Sequence, residues 1–235
     1  MLIIGAKTDI GKRRPNNEDT FYANEEKGLF IIADGMGGHQ SGEVASRMAI
    51  EEIKGYLESF DSDITHEVIE KAVEEANKAI YLKSMESRTL HGMGSTVVVA
   101  VIRDGWLLLA HVGDSRAYFP TDEGMKRLTN DHSLIFKLME EGKISEEEAR
   151  VHPKRGVILR ALGVEKFVDV DVRKQPYNGE TLLLCTDGLT DMLRDDEIEE
   201  ILLSTSNPKQ ACELLVERAN EAGGKDNITV MVVKG

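Results

Sequence analysis

Two apolar runs, residues 96–103 and 106–112, are separated only by Asp104-Gly105. A two-residue Asp-Gly connection leaves the chain no room to do anything except turn back on itself, so these runs are expected to pair as an antiparallel hairpin. Further β-rich runs lie at 2–8, 20–23, 28–33, 116–119, 167–173, 181–186 and 228–234. They alternate with helical stretches, but not in the strict strand–helix–strand rhythm of a parallel α/β fold. Helices are predicted over 42–59, 65–85, 195–204 and 208–222. The second carries Val68, Ile69, Ala72, Val73, Ala76, Ala79 and Ile80 at helical spacing, and the last has Asn207 as N-cap, Pro208 at its first position and Gly223-Gly224 as its stop. Residues 134–141 and 145–151 read as a short helical pair, a polar insertion between strands of the kind that forms a mobile flap. These features together predict an α+β sandwich: a large antiparallel sheet system covered by long paired helices.

The 235 residues suffice for one substantial core, and no Ser/Gly/Pro linker, repeat or low-complexity tract divides them. One domain over residues 1–235 is expected, with the flap at about 131–160. The apolar runs are too short to span a bilayer, and Met1–Ile4 lacks the basic segment and long apolar core of a signal peptide. A soluble cytoplasmic protein is the resulting expectation. With 42 acidic against 29 basic residues the net charge is −13, and no basic stripe is evident, which argues against nucleic acid as a partner. Cys185 and Cys212 have no metal-site spacing, and Cys185 lies within an apolar run as a buried thiol would.

Most of the acidic residues read as solvated helix faces, such as Asp195, Asp196, Glu197, Glu199 and Glu200. Others are placed differently. The run 28–33 leads into Asp34-Gly35, 106–112 into Gly113-Asp114 and 181–186 into Asp187-Gly188; Asp226-Asn227 leads into 228–234, and Asn17-Glu18-Asp19 precedes a strand. A strand delivers the residue at its end to a fixed point near the core, where an unpaired carboxylate is costly and several would repel one another. A divalent cation resolves both problems. One Asp-Gly pair is an ordinary turn, but five acidic strand-edge sites of one design are harder to attribute to turns alone. An all-oxygen set favours Mg²⁺ or Mn²⁺, and the scattered histidines offer no zinc spacing. Two such cations about 3.5–4 Å apart would activate a water and clamp an in-line phosphoryl displacement. Arg14, just before Glu18-Asp19, is placed to fork onto phosphate oxygens. The loop Asp34-Gly35-Met36-Gly37-Gly38-His39 has no Lys-Ser/Thr ending and is not a nucleotide loop of the Walker type.

Taken in order, Arg14-x-x-Asn17-Glu18-Asp19, Asp34-Gly35-Met36-Gly37-Gly38-His39, Met93-Gly94-Ser95-Thr96, Val112-Gly113-Asp114-Ser115-Arg116, Leu128-Thr129-x-Asp131-His132-Ser133, Thr186-Asp187-Gly188-Leu189 and Gly224-x-Asp226-Asn227-Ile228-Thr229 resemble the metal-dependent (type 2C) protein phosphatases, in their short bacterial form. The resemblance spans nearly the whole chain. It implies a central antiparallel β-sandwich flanked by helix pairs, dependence on Mn²⁺ or Mg²⁺, and hydrolysis of phosphoserine or phosphothreonine by a metal-activated water without a phosphoenzyme. By the same resemblance Asp34 bridges two metals and the Gly35 carbonyl binds one of them. Asp187 and Asp226 complete the other, Glu18 and Asp19 hold metal-bound waters, Asp114 with Asp187 forms a weaker third site, and Arg14 binds the substrate phosphate. Some members carry the general acid at the position of Met36, so His39 is the nearest substitute, weighed against a structural role; His132 reads as structural. His152 opens a flap-like segment and is a candidate substrate contact, although Gly156 stands where many members have Asn. The implied partners are phosphorylated proteins and a cognate Ser/Thr kinase, and the chain is expected to be a monomer. Two other readings stay open: a catalytically silent binding module on the same fold, and a Mg²⁺- or Mn²⁺-dependent hydrolase of small phosphate esters.

Overall fold

A computed structural model describes residues 1–37, 41–60, 64–121 and 123–235. Its strands are β1 (Ile3–Asp9), β2 (Asp19–Asn24), β3 (Leu29–Met36), β4 (Gly94–Ser95), β5 (Val97–Arg103), β6 (Trp106–Val112), β7 (Arg116–Thr121), β8 (Gly124–Arg127), β9 (Asp171–Pro176), β10 (Leu182–Cys185) and β11 (Ile228–Lys234). The helices are α1 (Ser41–Glu58), α2 (His66–Ser84), α3 (Leu134–Glu140), α4 (Glu146–Val151), α5 (Asp187–Thr190), α6 (Asp195–Ser204) and α7 (Pro208–Glu221). The Asp104-Gly105 turn forms as expected: Arg103 pairs with Trp106, and both turn residues have positive φ, 51° at Asp104 and 76° at Gly105.

The strands form two antiparallel sheets, ordered β1-β11-β10-β7-β8 and β2-β3-β5-β6-β9, with β4 pairing β3 outside the second path. Alternation along each strand divides the apolar side chains between two sides. In β3, Phe30 and Ile32 meet Val98, Ala100, Leu107, Leu109, Leu182, Leu184, Met231 and Val233 in the layer between the sheets. Their neighbours Leu29, Ile31 and Ala33 pack outward against Ala45, Ile53, Ile69, Val73 and Ile80 of α1 and α2. On the opposite flank Leu183, Cys185, Val230 and Val232 pack under α6 and α7 through Ile198, Leu202, Ala211, Leu215 and Ala219. Continuous apolar runs are what strands buried on both faces require, and the result is the expected α-β-β-α sandwich.

Three parts differ from the sequence expectation. Strand pairing near residue 170 begins only at Asp171, because Val168 and Val170 pack against the α1–α2 core without joining the ladder. Asp34 does not end its strand: β3 runs through to Met36 because β4 supplies a partner, Gly35 opposite Ser95 and Met36 opposite Gly94. The four-residue helix α5 and the strands β4 and β8 are too short to show a period. Both cysteines are buried free thiols, and burial pushes each up to about 12.

Candidate metal centre

The two sheets bring their acidic residues to one end of the sandwich. From the second sheet, Asp19 on β2 lies directly opposite Asp34 on β3. The Asp34 backbone is fixed on its far side: its N–H donates to Thr96 Oγ1 at 3.1 Å, and its carbonyl accepts from Thr96 N–H at 2.8 Å and Ser95 Oγ at 3.0 Å. The Gly94-Ser95-Thr96 stretch is thus the brace that extends β3. From the first sheet, β10 ends at Cys185, and Asp187 opens α5 two residues later. Asp226 immediately precedes Asn227, whose side chain accepts from Glu18 N–H at 2.8 Å and donates to the Ile10 and Asn16 carbonyls at 3.0 and 2.8 Å. A buried side-chain hydrogen bond also joins the two halves: Thr186 Oγ1 donates to Asp19 Oδ2 at 2.9 Å and itself accepts from Thr229 N–H at 3.0 Å.

Two glycines are required by close approach. A Cβ on Gly35 would collide with the Gly42 carbonyl at the start of α1, and one on Gly188 would collide with the Asn227 carbonyl. The first lets Glu18 and α1 close over β3; the second lets α5 sit against the Asp226-Asn227 turn. Asp114 follows Gly113, whose φ of 105° is open to glycine and closed to most side chains.

The electrostatics show how crowded this end is. Asp34 is held well above the usual carboxylate range, first by burial and then by Asp19, Asp187, Asp114 and Asp226. Asp187 is raised likewise by burial, then by Asp114, Asp191, Asp226 and Asp19. Burial pushes Asp19 up to about 7, against the Thr229 and Thr186 hydroxyls, which favour the charged form. Burial and Asp131 take Asp114 to about 6, with Arg116 opposing. Glu18 is raised by burial, with Arg14 opposing.

Among the described residues, Asp19 Oδ1, Asp114 Oδ1 and Asp187 Oδ1 are buried and have no hydrogen-bond partner in the protein. Asp19 and Asp114 both act on Asp187, and unpartnered buried oxygens on such mutually repelling carboxylates are expected to be rare in a stable fold unless a ligand satisfies them. The donor set of carboxylates with a backbone carbonyl fits a hard divalent cation.

Arg14 is half exposed and donates to Asp226 Oδ2 at 2.6 Å. Asp226 raises its pKa further, with Asp187 and Asp34 adding to the effect, so the guanidinium stands within reach of the acidic cluster. His39 lies outside the described residues. His152 is the C-cap of α4, and its Nδ1 accepts from Lys154 N–H at 3.1 Å within its own segment. No hydrogen bond or ion pair ties it to the acidic cluster among the described residues.

A second group, His111, His132 and Asp171, brings three potential ligand atoms within 4.8 Å of one another. Arg160 already occupies it, with Nη1 2.6 Å from Asp171 Oδ1 and 2.9 Å from His132 Nε2. His132 Nδ1 accepts from Gly113 N–H at 3.0 Å, and its Nε2 lies 3.4 Å from Asp171 Oδ1. Burial holds His132 down at about 4 and lowers His111 as well. Burial opposes the ionised form of Asp171, yet the Arg160 hydrogen bond and the two rings leave its pKa lowered. This is a clamp: it ties both ends of the 133–159 segment to the turn carrying Asp114, which suits the structural reading of His132.

Two acidic residues at this end, Asp191 and the Asp131 of the 128–133 motif, carry no role in the sequence reading. Asp191 caps α5 and presses on Asp187 and Asp114. Its spacing of four from Asp187 was visible, but it means one helix face only once α5 is known to be helical. Asp131 is buried beside Asp114, in a polar loop that gave no sign of burial.

Residues 9–228 match the family described as Protein phosphatase 2C. The serine/threonine phosphatase stp of Listeria innocua is 42% identical over 236 residues, covering 97% of this chain and 94% of that protein. The crystal structure of the serine/threonine phosphatase Stp1 from Staphylococcus aureus superposes with a TM-score of 0.94 at 33% identity, covering 100% of this chain and 95% of the other. The catalytic domain of the phosphatase PstP, solved in complex with two manganese ions, gives a TM-score of 0.88 at 35% identity, covering 99% and 97%.

Proposed function

The chain belongs to the protein phosphatase 2C family and is a metal-dependent serine/threonine protein phosphatase, and on that premise we propose which of its residues hold the metals and the substrate. Asp34, the Gly35 carbonyl, Asp187 and Asp226 hold two cations, Mn²⁺ or Mg²⁺. Glu18 and Asp19 orient water around them, and Asp114 with Asp187 holds a weaker third. Bound there, the cations supply the Lewis acidity that activates water and offsets charge on the phosphoryl oxygens. The observation that supports this best is the set of orphaned carboxylate oxygens on Asp19, Asp114 and Asp187, the first and second of which both raise the third.

The protein's own part is positioning. Arg14 exchanges Asp226 for the phosphate, and its planar fork fixes two phosphoryl oxygens. Asp34, braced by Ser95 and Thr96, keeps its place while charge redistributes. His39, four residues after Gly35 in sequence, protonates the leaving alkoxide, and His152 in the flap, about residues 131–160, contacts substrate. Residues 1–235 act as one catalytic domain. The substrates are phosphoproteins; a cytoplasmic location, a cognate Ser/Thr kinase and a monomeric state complete the proposal. Among the described residues no helix is long and apolar enough to cross a membrane.

A metal-titrated assay comparing a phosphothreonine peptide, a phosphotyrosine peptide and a small phosphate ester tests this reading. Hydrolysis of the phosphothreonine peptide should require added Mn²⁺ or Mg²⁺, and Asp34→Asn should abolish it with the fold intact. Full activity in excess chelator, or a preference for the small ester, would overturn it. His39→Gln should lower kcat by about 10²-fold on an alkyl phosphate, but little on an aryl phosphate whose leaving group needs no proton.

A further inference from the structure

Asp131 sits beside the metal centre without joining it. Its side chain is 6% exposed, and it shares the lining of one cavity of about 330 Å³ with Asp114, Asp187 and Asp191. Both of its oxygens are taken by one guanidinium. Arg116 Nε lies 2.9 and 3.1 Å from Oδ1 and Oδ2, and Nη2 donates to Oδ2 at 2.6 Å. Arg127 adds a longer contact of 3.6 Å to Oδ1. Arg116 is itself held in place, since Nη1 donates to Tyr118 Oη at 3.1 Å and its backbone pairs with Cys185, two residues before Asp187. The neighbouring Asp114 is two residues upstream, with its Oδ1 buried and unpartnered. Arg116 and Asp131 act on Asp114 in opposite senses, the first favouring its charged form and the second opposing it.

We propose that Arg116 is a positioning residue which, by holding both oxygens of Asp131, withholds a buried carboxylate from the Asp114–Asp187 side of the centre and so keeps that side's affinity for its cation low. This rests on the reading of Asp114 and Asp187 as metal ligands. A buried carboxylate has two good states, paired with a cationic side chain or bound to a metal. The forked guanidinium enforces the first. An ammonium, a point charge, could saturate only one oxygen. Loss of Arg116 removes a positive charge from the cavity and leaves Asp131 with only the longer Arg127 contact, and both changes attract a divalent ion. Loss of the Asp131 charge does the reverse, leaving an unpaired guanidinium facing the site. A pair that only bracketed β7 against the following loop would behave differently, because breaking it from either side would loosen Asp114 and weaken binding both times.

The test is Mn²⁺ titration of the full chain by calorimetry, reading ion number and the Kd of the weakest site, with folding checked by circular dichroism. Arg116→Gln should tighten the weakest site by about tenfold, and Asp131→Asn should weaken it by about tenfold. The double variant should return to within about twofold of wild type, because the pair's charges are removed together. Arg116→Lys should fall between wild type and Arg116→Gln, and it carries the test if the glutamine variant does not fold. Shifts in the same direction from both single variants, or no shift beyond about twofold from either, would overturn the proposal. Asp114→Asn should remove the weakest site; a wild-type isotherm from that variant would instead show that the ligand assignment beneath the proposal is wrong.

Discussion

With no cation bound, Asp19 should destabilise the fold at neutral pH, and replacing it with asparagine should make the metal-free protein more stable. In the folded chain its pKa is raised to about 7, against about 3.8 for the ordinary group, because burial disfavours the charge. A carboxyl group raised on folding binds its proton more tightly in the folded state. Its contribution is fully present below about 3.8 and is lost as pH rises through about 7. Each pH unit in that window costs about 1.4 kcal/mol, so moving from pH 5 to pH 7 costs about 3 kcal/mol. For a domain of this size that corresponds to roughly 6–12 °C in Tm. His132 and His111 pull the other way: their pKa values are lowered by burial, so they lose stability as pH falls below about 6.5. The measurement is therefore the difference between Asp19→Asn and wild type, since both contain the same histidines; removing the Asp19 charge also relieves Asp34 and Asp187, which it raises, and this adds to the gain in the same direction. Asparagine can still accept the Thr186 hydroxyl, so the substitution leaves that contact in place. Thermal melts in excess chelator from pH 5 to pH 8 should show the variant gaining on wild type up to about pH 7 and levelling off. Saturating Mn²⁺ should reverse the order, because the negative charge then faces a cation. A difference that stays flat across the range in chelator, or a variant less stable than wild type at pH 8, would refute the reasoning.

Other substitutions address positioning. Gly188→Ala puts a methyl into the Asn227 carbonyl and should lower stability by about 1–3 kcal/mol, with weaker Mn²⁺ binding as α5 moves off the Asp226 turn; melts with and without Mn²⁺ would show both effects. Arg14→Ala should raise KM for a phosphothreonine peptide by about tenfold or more while Mn²⁺ affinity holds or improves, since Asp226 loses its competing guanidinium; steady-state kinetics and calorimetry separate the two.

Much of this molecule could be read along the chain. The Asp104-Gly105 turn forms because its two residues accept positive φ, and the α2 stripe forms because Ile69, Val73, Ala76 and Ile80 fall on one helical face. The acidic residues of the site were recognisable because they adjoin apolar runs. What could not be read was contact across distance. Nothing local says that Asp34 faces Asp19, that β4 carries β3 two residues past the aspartate, or that Arg116 reaches Asp131 fifteen positions on. The Phe167–Arg173 prediction misplaced its strand for the same reason: Val168, Val170 and Val172 alternate correctly, but only a partner strand determines where pairing begins.

The hydrogen bond from Thr186 to Asp19 is also a seam. It joins β2 of one sheet to the β10–α5 turn of the other at the end where the acidic groups gather, and the Thr186 and Thr229 amides lie directly behind it, the first donating to the Thr229 carbonyl and the second to the Thr186 hydroxyl. An ion gripped from both sides would act as a rivet through that seam. The amide protons of Thr186 and Thr229 should then exchange with solvent far more slowly in the loaded protein than in the stripped one, while those of Val99 and Leu109 in the interior of the β5–β6 hairpin slow only as far as the ion raises the stability of the whole fold, so that the state of the centre could be followed without any substrate at all.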